Sequence, residues 1–306
     1  MPKRISTVRG REFGDAIRAV IAGTGSTAGE VAEIVGWDKG KLSDLVCGKG
    51  GVTQVELAFL LGACRVEQAE VAHLMALFPM QEHRGWWQRH GVCQPLRLRT
   101  AVENLSQATT LVSWNPHMVP VLLQTPDYAR EVLQASATLP NDEIEDRVQA
   151  RLTMQRVLPP NVKRAYFLHE MALRILVGGA EVHAQQMQRI TAAANRPHTT
   201  VRIVPAARGA HAGTAGPFTQ LTFAKYEPLV WVDTENSSLF DEAKDALTGY
   251  EKVIRALEDT SLTEDESNAL ISQLGQDTQA RGAQSAQTRG PSTRARGALA
   301  SSTTPA

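Results

Sequence analysis

A chain of 306 residues is longer than one ordinary domain, so its length predicts about two folded units, each able to bury a core. Apolar residues make up 42% and charged residues 21%, which excludes disorder or a fibrous repeat over most of the chain. The 32 basic and 32 acidic residues cancel, so affinity for nucleic acid has to come from a local surface and not from the field of the whole molecule. Cys47, Cys64 and Cys93 are widely spaced, odd in number and form no CxxC pair, which gives no sign of a disulfide framework or a thiolate zinc site. No apolar run has the length of a signal segment or a membrane span, and a reducing, cytoplasmic setting without a membrane partner is expected.

Residues 1–79 read as an all-helical bundle. Phe13, Ile17, Val20 and Ile21 form the first helical stripe, and Gly23 and Gly25 end it. Thr27 and Glu30 make a capping-box pair at the start of a second helix, whose expected buried face is Val31, Ile34 and Val35. Asp38 suits the cap of a short third helix with Leu42 and Leu45 inward and Gly48 just past its end. Thr53 and Glu56 repeat the capping box ahead of Leu57, Leu60, Leu61 and Cys64, and a fifth stripe runs through Val71, Leu74, Met75 and Phe78 to Pro79.

Two helices joined by a tight turn need a small residue where they cross and a residue tolerant of positive φ between them, and Ala32 and Gly36 meet those needs. Leu42 and Leu45 then anchor the third helix, which leaves Lys39, Gly40, Lys41, Ser43 and Asp44 toward its outer side. Thr27 and Lys49 complete the expected DNA-facing set, with Lys39 and Lys41 foremost in it. On Ala32, Gly36, Leu42, Leu45 and Gly48, the segment from Thr27 to Gly48 resembles the helix-turn-helix of the Cro/C1 or XRE family. That resemblance implies a five-helix domain that binds double-stranded DNA, usually as a homodimer, with its third helix in the major groove. A protein-interaction bundle with weak or lost DNA binding stays open, because Asp44 would face phosphates and Gly29 and Gly40 each cost a helix about 1 kcal/mol.

Residues 80–108 read as a partly helical connector. In it Trp86 and Trp87 suggest a packed hinge, and His83, His90 and Cys93 an accidental grouping and not a metal site. Beyond residue 109 short β-rich runs appear at 110–114, 165–168, 201–204, 218–223 and 229–232. Helical periodicity fits 127–136, 143–158, 181–195, 239–258 and 263–274, so an α/β or α+β domain is expected over 109–275. From 276 to 306 the chain has almost nothing to bury and reads as a disordered tail.

The run Val119-Pro120-Val121-Leu122-Leu123-Gln124-Thr125-Pro126-Asp127-Tyr128-Ala129-Arg130 places a cap and an N1 proline at a helix start. With Arg147, Arg151, Gln155, His169-Glu170, Gly178-Gly179, Gln186-Met187, Val204-Pro205, Gly216-Pro217-Phe218 and Ser261-Leu262-Thr263, it resembles the DUF5753 (Scr1-type) domain found behind XRE-type modules in bacterial regulators. The resemblance implies a transcriptional regulator, sometimes antitoxin-like, often encoded beside a small DUF397-type partner protein. Gln124, Arg130, Arg151, Gln155 and Glu170, polar residues beside apolar runs, are the candidate partner or ligand surface, with helix capping and internal hydrogen bonding as the alternative role. His169 beside Glu170 is set aside as a catalytic pair, since neighbours in a strand face opposite ways. The glycine-rich stretch Gly209, His211, Gly213, Gly216 reads as a strand-connecting loop, and no enzyme activity, cofactor or metal is expected.

Overall fold

The computed structural model describes residues 6–80, 86–89, 95–234 and 237–288. The grouping of His83, His90 and Cys93 lies outside them. Among the described residues, α1 (Val8–Gly23), α2 (Ala28–Ile34), α3 (Lys39–Val46), α4 (Gln54–Ala63) and α5 (Gln68–Leu77) form a bundle around Phe13, Ile17, Leu42, Leu45, Leu60 and Leu74. The inward face of α2 is Val31 and Ala32, continued by the buried C-cap residue Val35, and Ile34, expected inside, is 63% exposed. Successive helical residues turn by about 100°, so a face that includes Ala32 rotates Ile34 outward. The C-terminal end of α3 packs directly on α1: a Cβ on Gly48 would lie 2.3 Å from the Arg11 nitrogen, and Gly48 itself has φ +73°. Only glycine suits that crossing.

The larger region is a mixed sheet of β1 (Trp86–Arg89), β2 (Ala108–Asn115), β3 (Lys163–His169), β4 (Thr199–Val204), β5 (Phe218–Phe223), β6 (Leu229–Asp233) and β7 (Ser237–Asp241). Its order is β1-β7-β6-β5-β2-β3-β4, with β2, β3 and β4 parallel and the other pairings antiparallel. The helices are α6 (Pro95–Gln107), α7 (Pro126–Gln134), α8 (Ile144–Val157), α9 (Glu170–Arg174), α10 (Gly179–Ala194), α11 (Lys244–Thr260) and α12 (Glu264–Thr288). Period-two alternation splits the core in two. Leu111, Leu168, Ile203 and Leu221 meet Ile190 of α10 and Ile271 of α12 on one face. Trp114, Phe167, Val204 and Phe218 meet Leu247, Ile254 and Leu257 of α11 on the other. The edge strand β4 is covered: the Ile203 amide donates to Ser267 Oγ at 3.0 Å, and its carbonyl accepts from the Leu262 amide at 2.8 Å. Edge groups satisfied in this way are not left to template another strand.

Four further expectations are corrected. Residues 237–241 are strand β7 and not the start of a helix, because Phe240 buries against the sheet, and α11 begins only at Lys244. The helix of 263–274 continues as α12 to Thr288, so 276–288 is not a disordered stretch. Its Ala, Gln and Arg residues favour helix once Ile271 and Leu274 anchor it. Ala101 and Leu105 of α6 are buried and Leu105 sits in the sheet's core, which makes that part of the connector integral to the larger domain. His169 ends β3 as the N-cap of α9, so the opposite-face rule for strands does not apply to His169 and Glu170.

The two regions meet at α1. Val8 belongs to the core of the sheet region, and its amide donates to Glu242 Oε2 at 2.7 Å. Arg11 pairs with Glu242 at 3.3 Å, donates to Asn104 Oδ1 at 3.1 Å and lies over the Tyr226 ring at 4.8 Å. Burial pushes the Arg11 guanidinium below its ordinary value, and Glu242 pulls it back.

Candidate nucleic-acid interface and the carboxyl edge of the sheet

Each start of the α2–α3 pair is fixed by a short-range cap. Thr27 Oγ1 accepts from the Glu30 amide at 3.3 Å while Glu30 accepts from the Thr27 amide at 2.7 Å. Asp38 accepts from the Lys41 amide at 2.8 Å, and a Cβ on Gly40 would come within 2.9 Å of that Asp38 oxygen. Between the helices Gly36 has φ +67°, and the Trp37 amide donates to the Ala32 carbonyl at 2.8 Å. This geometry turns Leu42 and Leu45 into the core and leaves Lys39, Gly40 and Ser43 exposed, with Lys41, Asp44 and Lys49 half-buried.

The outer face is electrostatically mixed. Lys41 donates to Glu56 Oε1 and lies 5.1 Å from the Trp37 ring centroid, and Lys49 pairs with Asp44 at 3.2 Å. Lys39 makes no ion pair among the described residues. The Lys41 ammonium, ahead of the Thr53 amide, holds the Glu56 carboxyl below the usual carboxylate range.

In the larger domain, three of the polar residues singled out in sequence converge on the 119–125 loop. Gln124 donates to the Val119 carbonyl at 2.8 Å and accepts from Arg151 at 2.8 Å. Gln155 donates to the carbonyls of Val121 and Gln124 at 2.8 and 2.9 Å. The fully buried Gln186, which sequence reasoning does not place in this set, accepts from the Thr125 amide at 2.7 Å and donates to the Leu123 carbonyl at 2.9 Å. These side chains spend most of their polar groups on holding the loop. Arg130 stands apart, bound to Asp127 at 2.6 Å and to Glu145 at 3.0 Å on an open groove that also involves Asn141 and Ile144.

Glu170 accepts from the Ala206 amide at 2.8 Å and pairs with Arg174, so it joins α9 to the turn after β4. His169 instead stacks on His211, ring centroids 5.4 Å apart, and Trp114 meets both rings edge-on at 6.4 and 5.2 Å. The Trp114 indole donates to the Gly213 carbonyl at 2.7 Å. These groups cluster where β2, β3 and β4 end, the carboxyl edge at which open α/β sheets commonly take ligands. His211 is legible in sequence only as part of a glycine-rich loop, because its partner lies 42 residues away.

Among the described residues, no group of three His, Cys, Asp or Glu side chains is placed to hold a metal ion. No described helix is long and apolar enough to cross a membrane. No curated protein and no solved structure matches the chain. The model of a domain of unknown function, DUF5753, matches residues 98–273, a span that begins within α6 and closes within α12, and the chain belongs to that family.

Proposed function

We propose that the protein is a DNA-binding transcriptional regulator of the XRE helix-turn-helix type, in which the DUF5753 domain senses a protein partner or an effector. The outward face of α3 carries this reading: Lys39, Gly40 and Ser43 are exposed while Leu42 and Leu45 lock the helix to the bundle. A short helix held from behind and preceded by a capped helix and a tight turn is the arrangement that seats in a major groove. Binding as a homodimer would place two such helices on half-sites one helical turn apart. Sequencing duplex fragments selected by the purified full chain tests the reading. Enrichment of a symmetric sequence is expected, and recovery of random fragments only, at low salt, would overturn it.

A second reading is favoured by the ion pairs on that face. With Lys41 bound to Glu56 and Lys49 to Asp44, much of the local positive charge is already matched. In this antitoxin-like alternative, the chain chiefly holds a small partner protein of the DUF397 type and its hold on DNA is weak. A stable complex with such a partner, without DNA retention at low salt, is its expected outcome.

A further inference from the structure

We propose that the carboxyl edge of the parallel strands binds a small oxyanion, a carboxylate or a phosphate, through the Nε2–H groups of His169 and His211. The inference rests on the larger domain being the sensing part of the protein, and it names the chemistry of what is sensed.

The tautomers follow from the caps. His169 Nδ1 accepts from the Met171 amide at 3.2 Å, and His211 Nδ1 accepts from the Gly213 amide at 3.1 Å. A ring nitrogen that accepts a hydrogen bond carries no proton, so each neutral imidazole holds its proton on Nε2. Neither Nε2 has a hydrogen-bond partner among the described residues, and neither is a buried unpaired atom. Two donors on nearly parallel rings, 20° apart in plane, are therefore unspent on side chains that are only half-buried.

The setting is rigid. Trp114 is fully buried beneath the two rings, and a Cβ on Gly213 would lie 2.5 Å from its indole, so the His211 loop is pressed onto a fixed floor. Pre-placed donors avoid the ordering cost of capturing a ligand. The charge balance suits an anion as well. Arg208, exposed on the same loop, makes no ion pair among the described residues, while the nearby Glu170 has its oxygens engaged by Arg174 and the Ala206 amide. Burial holds both imidazoles below their ordinary value, and for His169 the neighbouring His211 and His117 add to this against Glu170. The pair thus presents two neutral donors.

The test is a titration of the full chain, without DNA, with inorganic phosphate in one arm and acetate in the other, followed by the imidazole nitrogen resonances. Saturable shifts of the Nε2 signals are expected in at least one arm, and the arm that responds tells a phosphate-bearing from a carboxylate-bearing ligand. His169→Asn and His211→Asn keep an acceptor suited to the N-cap while removing the distal donor. Each is expected to weaken binding about tenfold or more without altering thermal unfolding. No saturable shift in either arm, or unchanged binding in both variants, overturns the proposal. Because DNA is absent, failure here with intact DNA binding refutes the oxyanion site alone. Absent DNA binding with intact anion binding refutes only the regulator reading.

Discussion

The helical bundle and the sheet domain satisfy their polar groups over different distances. In the bundle the caps close within one turn: Thr27 with Glu30, Asp38 with Lys41, Thr53 with Glu56. In the sheet domain the 119–125 loop depends on Arg151, Gln155 and Gln186, with sequence separations of 27, 34 and 61 residues. Local caps fix where each helix starts without help from distant residues, while Leu42 and Leu45 hold α3 to the shared core and leave Lys39, Gly40 and Ser43 on its outer side. Long-range bonds instead make the sheet domain a mutually dependent unit, in which removal of one partner strands several buried groups.

That contrast predicts a graded series of effects. The largest falls where the regions join. Glu242→Gln removes the charge partner of the buried Arg11, and a loss of about 3–5 kcal/mol in denaturant unfolding is expected. A change under about 1 kcal/mol would show that the joint is not a shared structural element. Next comes Gln186→Leu, which leaves the Thr125 amide and the Leu123 carbonyl without their partner. A loss of about 2–4 kcal/mol confined to the sheet domain is expected, read by hydrogen exchange of residues 119–125. Thr27→Ala deletes an exposed local cap and should cost about 1 kcal/mol, with protection of the sheet domain unchanged. If exchange in the sheet domain rose as well, the local reach of that cap would be refuted.

The smallest effect is one of pH. His169, His183 and His211 are all held below the ordinary value of 6.5, chiefly by burial. Below about that pH the unfolded chain takes up protons that the folded imidazoles refuse. Their contribution is therefore complete at neutral pH and declines as pH falls toward the lowered folded values. Unfolding curves at about pH 7.5 and about pH 5.5 should show the lower stability in the acidic sample, and the reverse order would refute the assignment.

The same difference in range explains what can be read without coordinates. Capping boxes are spaced three residues apart, so those at Thr27 and Thr53 are visible in sequence, as are the Asp38 cap and the Thr125-Pro126 start of α7. Five strand cores are placed by β-rich composition within a few residues. The strand β7 escapes sequence reasoning because a segment of five residues, Ser-Ser-Leu-Phe-Asp, runs straight into an amphipathic helix and shares its periodicity. The stacking of His169 on His211 has no sequence signal at all, since it depends on two parallel strands ending side by side. Ion pairing on α3 is equally hidden, because Glu56 reaches Lys41 from α4.

Salt-titrated binding of duplex DNA to the full chain and to its Lys39→Ala/Lys41→Ala variant tests the central claim most directly. If the exposed face of α3 receives the duplex, the variant binds more weakly, and the slope of log affinity against log salt flattens by about one unit for each phosphate that a lysine no longer neutralises. Identical affinity and slope in the two proteins would contradict docking through this helix.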